Sequence, residues 1–328
     1  MKVSLARVSV VIPNYNHSKF LRRRLNSVLK QTFDDFEVII LDDCSTDESR
    51  EILSEYANYP RVRIEFNDKN SGSTFKQWNK GVQLSCGEYI WIAESDDFAD
   101  ERLLERLVPA LDAEPNAAFA YCRSFRVDQN DQLCGFVDNY LTDLHPNRWT
   151  RDYCSEGLEE CRRYFVFRNT VPNASAVLFR KEVYEKVGRV DESFQICGDW
   201  KLWASMALTG KIIHLGEPLN YFRFHGESVR GRDSAGVALA QETLRVVRWL
   251  SAEVTITEDI REKLCQKLSD VWVPAIVSFR VPFALKWKIW GSVREIDSRA
   301  VHRIVKPALE ALWRKIQRHR LTFLRVKE

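Results

Sequence analysis

The chain has no CxxC pair among its eight cysteines, which removes the paired-thiolate zinc frameworks from consideration. At 328 residues it can bury a core without disulfide staples. Several cysteines fall inside apolar strands, and reduced thiols in a cytosolic protein are the expectation. No apolar run approaches the ~18 residues that a membrane span requires. Met1–Arg7 leads directly into a hydrophobic strand, so no secretory leader is expected. There is no internal repeat and no low-complexity segment. A net charge of +3 offers no global field for nucleic acid.

The charge is unevenly spread. Val281–Glu328 holds 12 Lys+Arg against 4 Asp+Glu, a local +8 that leaves −5 for the rest. A mildly acidic body thus carries a basic tail. Within the tail, VPFALKWKIW sets Phe283, Trp287 and Trp290 beside Lys286 and Lys288, and a later cationic run contains Trp313. Such a face suits an anionic membrane surface. It equally suits a solvated helix whose aromatics pack on the body. Nucleic-acid binding ranks third, because no recognition motif accompanies the charge.

The body alternates strand and helix signals. VSVVIP (8–13), FEVIILDD (36–43), RVRIEFN (61–67) and EYIWIAE (88–94) read as strands. Helical spacing fills 19–31 and 74–85, and Ser45 with Glu48 has the spacing of a capping box opening another helix. Unbroken apolar strands alternating with helices predict an α/β fold with a parallel, doubly wound sheet. Farther on, FAYCRSFRV (119–127) reads as a strand, 173–188 as strand then helix, 198–210 as a helix and 211–225 as strands. Beyond Gly236 the pattern is helical and basic.

In doubly wound sheets ligands bind beyond the carboxyl ends of the strands. Three polar clusters lie there: Asn14–Asn16, Asp42–Asp43 and Glu94–Asp97. The last is the most demanding, because WIAESDDFAD runs from a strand into three crowded carboxylates. Asp100 is placed to open the helix that follows. Asp96 and Asp97 lie too early for that. Like charges this close repel, and a divalent cation is what such a group suits.

The ordered motifs VSVVIPNYNHSKFL, FEVIILDDCSTDES, NSGSTFKQWNKG, GEYIWIAESDDFAD and GDWKLW resemble those of the family 2 glycosyltransferases, the inverting enzymes of the GT-A fold. The resemblance covers about residues 6–228. It implies a GT-A (Rossmann-like) mixed, mostly parallel sheet flanked by helices, with a catalytic domain over 1–232. Residues 1–118 would form its nucleotide-sugar half and 119–232 its acceptor half, followed by a helical extension over 233–328. It implies a UDP- or dTDP-linked sugar donor, Mn²⁺ or Mg²⁺, and a glycan or lipid-linked acceptor. It also implies roles. Pro13 and Tyr15 match the loop that packs on the base, and Asp43 the acid that bonds base or ribose. Lys76 lies near the family's phosphate-facing basic residue, one position off the common spacing. Asp96 and Asp97 match the DxD-type element, Asp96 toward the donor and Asp97 toward the metal, with Glu94 where the family has its leading Asp. Asp199 in GDW matches the general base. His225 lies where relatives complete the metal or diphosphate site, and Arg223, sharing its face at β spacing, suits phosphate charge.

The chemistry fits those residue types. A departing nucleoside diphosphate gathers negative charge that a carboxylate-held cation can stabilise. Inversion needs one carboxylate to take the acceptor proton. Asp199 could equally be a first-turn helix residue stabilised by the dipole. Trp200 and Trp203 are candidates to stack on an acceptor sugar or to pack the core. Two other functions compete. A sugar nucleotidyltransferase would show a glycine-rich, basic first loop, which PNYNHSKF is not. A non-catalytic carbohydrate-binding or scaffold protein would have little reason to keep Asp43, Asp96, Asp97 and Asp199 together.

Overall fold

The computed structural model describes residues 6–225, 235–277 and 282–296. They fall into two compact units, Met1–Ala235 and Gly236–Glu328.

The first unit opens with β1 (Val8–Asn14), α1 (Ser18–Leu29), β2 (Phe36–Asp42), α2 (Ser49–Ser54), β3 (Val62–Phe66), α3 (Thr74–Leu84) and β4 (Tyr89–Ile92). Strands β3, β2, β1 and β4 lie side by side in that order, all parallel. Every residue of β1 and β4 is buried, as expected of strands covered by helices on both faces. Leu21, Leu25 and Val28 turn one face of α1 to the sheet. Gly81 brings α3 onto the other face: a Cβ there would lie 2.2 Å from Val11 Cγ1.

The chain continues through β5 (Phe98–Ala99), α4 (Leu103–Ala113), β6 (Ala117–Val127), β7 (Leu133–Phe136), β8 (Tyr153–Glu156), α5 (Gly157–Glu160), β9 (Val177–Arg180), α6 (Lys181–Lys186), α7 (Gly198–Ala207) and β10 (Lys211–Arg223). Antiparallel β9 bridges β4 to β6, and β6 pairs in parallel with the long β10. Short β5, β7 and β8 add antiparallel edges. This is the mixed sheet flanked by helices that the motifs imply. The 211–225 segment is one strand, with register shifts around Leu215–Pro218, where Gly216 passes over the backbone of Thr150 and Arg151.

The expected Ser45–Glu48 capping box does not form. Glu48 makes no side-chain cap bond to α2, and Ser45 Oγ instead accepts the Asn16 amide at 3.0 Å. Asp47 takes over, one oxygen accepting from Ser49 N at 3.0 Å and the other from Ser18 N at 2.8 Å. One carboxylate thereby fastens the starts of α1 and α2.

On β10, His214 is buried between the rings of Tyr121 and Tyr153, at 4.6 and 5.0 Å. Its Nδ1 lies 3.1 Å from the Arg151 carbonyl. Burial pushes its pKa down to about 4. An unfolded histidine binds its proton near pH 6.5, so below that pH the unfolded chain holds more protons than the folded one. The stabilisation is complete above pH 6.5 and is lost as pH falls toward 4. His214→Gln is expected to make the stability change between pH 7 and 4.5 smaller by about 2 kcal/mol. Urea unfolding of both proteins at the two pH values measures this; identical pH dependences would contradict it.

The second unit contains α8 (Ala235–Glu253), α9 (Glu258–Val277) and α10 (Phe283–Ile296). Trp272 packs edge-on against Trp290, and Arg248 pairs with Glu295 at 2.7 Å. No helix among the described residues is long and apolar enough to cross a membrane. Phe283 and Trp287 are 79% and 67% exposed beside Lys286 and Lys288. Trp313 and the rest of the basic run lie outside the described residues.

Candidate active site

The three polar clusters meet on one rim. Asn14 and Asp42 end adjacent strands in register, and Asn14 Nδ2 donates to Asp42 Oδ2 at 2.9 Å. Beyond them Asn16 and Cys44 both have positive φ, 56° and 64°. These left-handed residues turn the chain sharply at the rim. Pro13 is buried within β1, while Tyr15 is 42% exposed. Asp43 is buried and held by Asn67 Nδ2 at 2.6 Å, Ser71 N at 2.9 Å and Gln77 Nε2 at 3.0 Å. Lys76 lies on the exposed side of the first turn of α3, its Nζ on the Ser71 carbonyl at 3.2 Å.

At the end of β4 the carboxylates take separate surroundings. Trp78 Nε1 donates to Glu94 Oε1 at 2.6 Å. Burial, then the nearby Asp96 charge, pushes the Glu94 carboxyl up to about 8. Asp96 keeps 17% of its side chain exposed and lies 3.0 Å from His225 Nε2. Burial works to raise its pKa, but the bond from His225 and the nearby His17 outweigh it and hold the carboxyl below the usual range. His17, Asp96 and His225 bring one potential ligand atom each to within 4.8 Å of one another. They are the cation-capable cluster among the described residues, and two imidazoles with a carboxylate are a donor set that fits a divalent ion such as Mn²⁺.

Asp97 faces the other way and is 1% exposed. Its Oδ2 accepts from Asn173 Nδ2 at 2.9 Å and Ser175 Oγ at 2.7 Å, and its Oδ1 from the Arg223 amide at 2.9 Å. The wholly buried Arg24 lies 3.9 Å away, with its Nε on the Glu94 carbonyl at 2.8 Å. Burial and the neighbouring Asp96 raise the Asp97 pKa; burial lowers that of Arg24 to about 10, against the pull of Asp97. Asp96 thus belongs to the cation-capable cluster, while Asp97, expected toward the metal, bonds the loop to the core. Arg223, expected toward phosphate, is held by its own chain. Its guanidinium bonds the Asp96 and Asp128 carbonyls and the Asp131 carboxylate and lies over Phe20. These contacts brace the loop.

Asp199 stands in the first turn of α7. Its Oδ1 accepts from the Trp200 amide at 2.7 Å and its Oδ2 from Asn169 Nδ2 at 3.0 Å. Asn169 is itself oriented, because its Oδ1 accepts from Val171 N at 3.1 Å. Preceding Gly198 sits against the Phe75 ring, where a Cβ would come within 2.7 Å. Thr74, one residue before Phe75, has its Oγ1 3.5 Å from Glu94 Oε1. The first turn of α3 thus meets Glu94 through Thr74, and Gly198, the residue before Asp199, through Phe75. Trp200 and Trp203 are both buried, Trp200 donating to the Phe165 carbonyl at 3.0 Å, so both pack the core.

Sequence reasoning missed several of these partners. Arg24 was findable, since it falls three residues after Leu21 and four before Val28 on the sheet-facing side of α1. His17 and Asn169 come from loops, and Asn173 and Ser175 from the cap and first turn of a one-turn helix over Ala174–Ala176, too short to be read from the sequence. A separate hollow of about 500 Å³ lies at the opposite ends of β6 and β10, lined by Glu114, Arg148, Cys154, Glu160 and Lys211 among others. Its charges pair internally, Arg148 with Glu160 and Lys211 with Glu114.

The sequence model "Glycosyl transferase family 2" matches residues 9–188, more than half of the chain. Chondroitin synthase of Escherichia coli is 39% identical over 222 residues, 67% of this chain and 29% of that protein. An uncharacterized glycosyltransferase of Nostoc sp. is 29% identical over 226 residues, 67% of this chain and 65% of that one. The chain thus spans less than two thirds of either relative's length. In structure, residues 1–349 of Staphylococcus aureus TarS in complex with UDP-GlcNAc align with a TM-score of 0.68 at 17% identity, covering 89% of this chain and 82% of that one. A Pyrobaculum calidifontis mannosyltransferase in complex with GDP-Man and Mn²⁺ aligns at 0.56 and 14% identity, covering 95% and 81%. The fold is that of TarS, the GT-A fold, and the chain belongs to glycosyl transferase family 2.

Proposed function

We propose that the chain is a metal-dependent inverting glycosyltransferase. It moves a sugar from a nucleoside-diphosphate donor, UDP- or dTDP-linked, to a glycan or lipid-linked acceptor. What supports this reading is that the first turn of α3 touches both Glu94, in the loop that carries the carboxylate–histidine cluster, and Gly198, whose neighbour Asp199 is a separately oriented carboxylate. Asp96 and His225 would hold the ion, Mn²⁺ or Mg²⁺, which when bound supplies positive charge beside the leaving diphosphate. Asp43 and the exposed Tyr15 ring line the donor side of the rim. Asp199 accepts the proton of the attacking hydroxyl, and its bonds from Asn169 and Trp200 hold the carboxylate in one orientation. Two solved structures of the same fold contain nucleotide sugars, one of them with Mn²⁺, which supports the donor class.

A ligand that binds only the folded state raises the melting temperature. In a thermal-shift screen of UDP-, dTDP- and GDP-sugars, at least one is expected to stabilise the protein more with Mn²⁺ than with EDTA. That increment should vanish in Asp96→Ala. A panel without any metal-dependent shift would contradict the reading.

A further inference from the structure

We propose that His17 is a third metal ligand, giving a two-imidazole, one-carboxylate site that favours Mn²⁺ and similar first-row ions over Mg²⁺. The proposal rests on the metal reading of Asp96 and His225 given above.

Three observations support it. First, spacing: ligands on one ion at roughly 2.1 Å stand about 3 Å apart when adjacent and about 4.2 Å when opposite. The ligand atoms of His17, Asp96 and His225, all within 4.8 Å of one another, need only a small contraction to share one ion. Second, orientation: His17 Nδ1 lies 2.8 Å from Ser95 Oγ, and Ser95 is itself buried. With Nδ1–H donating to that hydroxyl, Nε2 carries the lone pair. A fixed outer partner of this kind is usual for metal-binding histidines. Third, rigidity: the His17 carbonyl accepts from the amides of Phe20 and Leu21 at 2.9 and 3.0 Å. Its ring also meets the His225 ring edge-on, with centroids 5.7 Å apart. The imidazole is therefore positioned by the start of α1.

The selectivity follows from donor chemistry. Mg²⁺ prefers oxygen ligands and keeps much of its water, whereas imidazole nitrogen suits transition ions. Each added imidazole therefore shifts preference away from Mg²⁺.

Pulsed EPR of Mn²⁺ added to the full chain counts the coordinated imidazoles directly. Two are expected in the wild type, one in His17→Gln and one in His225→Gln. Glutamine at 17 can still bond Ser95, so a purely structural role would survive the change. Mn²⁺ affinity, read from loss of the free aqueous signal, is expected to fall at least about 10-fold in His17→Gln, no less than loss of an outer-shell partner costs, with a smaller loss for competing Mg²⁺. A single imidazole in the wild type, removed by His225→Gln alone, would overturn the proposal and leave the metal reading standing. A wild type that binds no Mn²⁺, even with UDP present, would overturn both. The wild-type count does not depend on how any variant folds.

Discussion

Replacing Asp199 by Asn is expected to lower sugar transfer by about 10²- to 10⁴-fold, the range that a general base supplies. The amide has no basic oxygen for the acceptor proton, yet it keeps the volume of the carboxylate. The structural cost is small. Asp199 accepts from both Asn169 Nδ2 and Trp200 N, and asparagine can satisfy one of the two, a loss of about 1 kcal/mol. Melting temperature and Mn²⁺-dependent donor binding should therefore stay near wild type while kcat collapses. If Asp199 were only a first-turn residue that complements the helix dipole, turnover would stay within a few-fold. Steady-state kinetics of purified Asp199→Asn separates the two.

The second large effect divides two adjacent residues. Asp97→Ala is expected to destabilise the fold by roughly 3–5 kcal/mol, the penalty for removing one partner from a buried ion pair. Arg24 would lose its buried counter-charge, and Asn173, Ser175 and the Arg223 amide would lose their shared acceptor. Asp96→Ala removes a carboxylate that is partly exposed and bonded to His225. It should cost less stability than Asp97→Ala, about 1–2 kcal/mol for the lost bond to His225, and abolish metal-dependent donor binding. Urea unfolding of both variants tests this. Equal stability losses, or a stable Asp97→Ala that fails only to bind metal, would restore Asp97 to the cation.

This pair shows where sequence reading stops. The strands were legible because β1, β2 and β4 are apolar runs buried on both faces, and their carboxyl ends marked the rim. The crowding of Glu94, Asp96 and Asp97 was legible as well. Which aspartate faces the cleft was not: neighbouring residues at a strand end point to opposite sides, and the side is chosen by partners from distant segments. Asn173 and Ser175 lie 76 and 78 positions from Asp97, and Asn169 lies 30 from Asp199. The same cause undid the Ser45–Glu48 cap. Its spacing satisfied a local rule, but Asn16 claimed the Ser45 hydroxyl across 29 positions. Arg223 is a further case: its charge suggested phosphate, and the carbonyls it bonds, of Asp96 and Asp128, were not legible from its own stretch.

The account turns on single displacement at the anomeric carbon, driven by one base. In slow donor hydrolysis, water takes the acceptor's place and the released sugar keeps the stereochemistry of the step. The most direct measurement is time-resolved NMR of that sugar, before mutarotation, with wild-type protein, Mn²⁺ and an α-linked nucleotide sugar. The β-anomer as the first product is the predicted result; the α-anomer as the first product would contradict it.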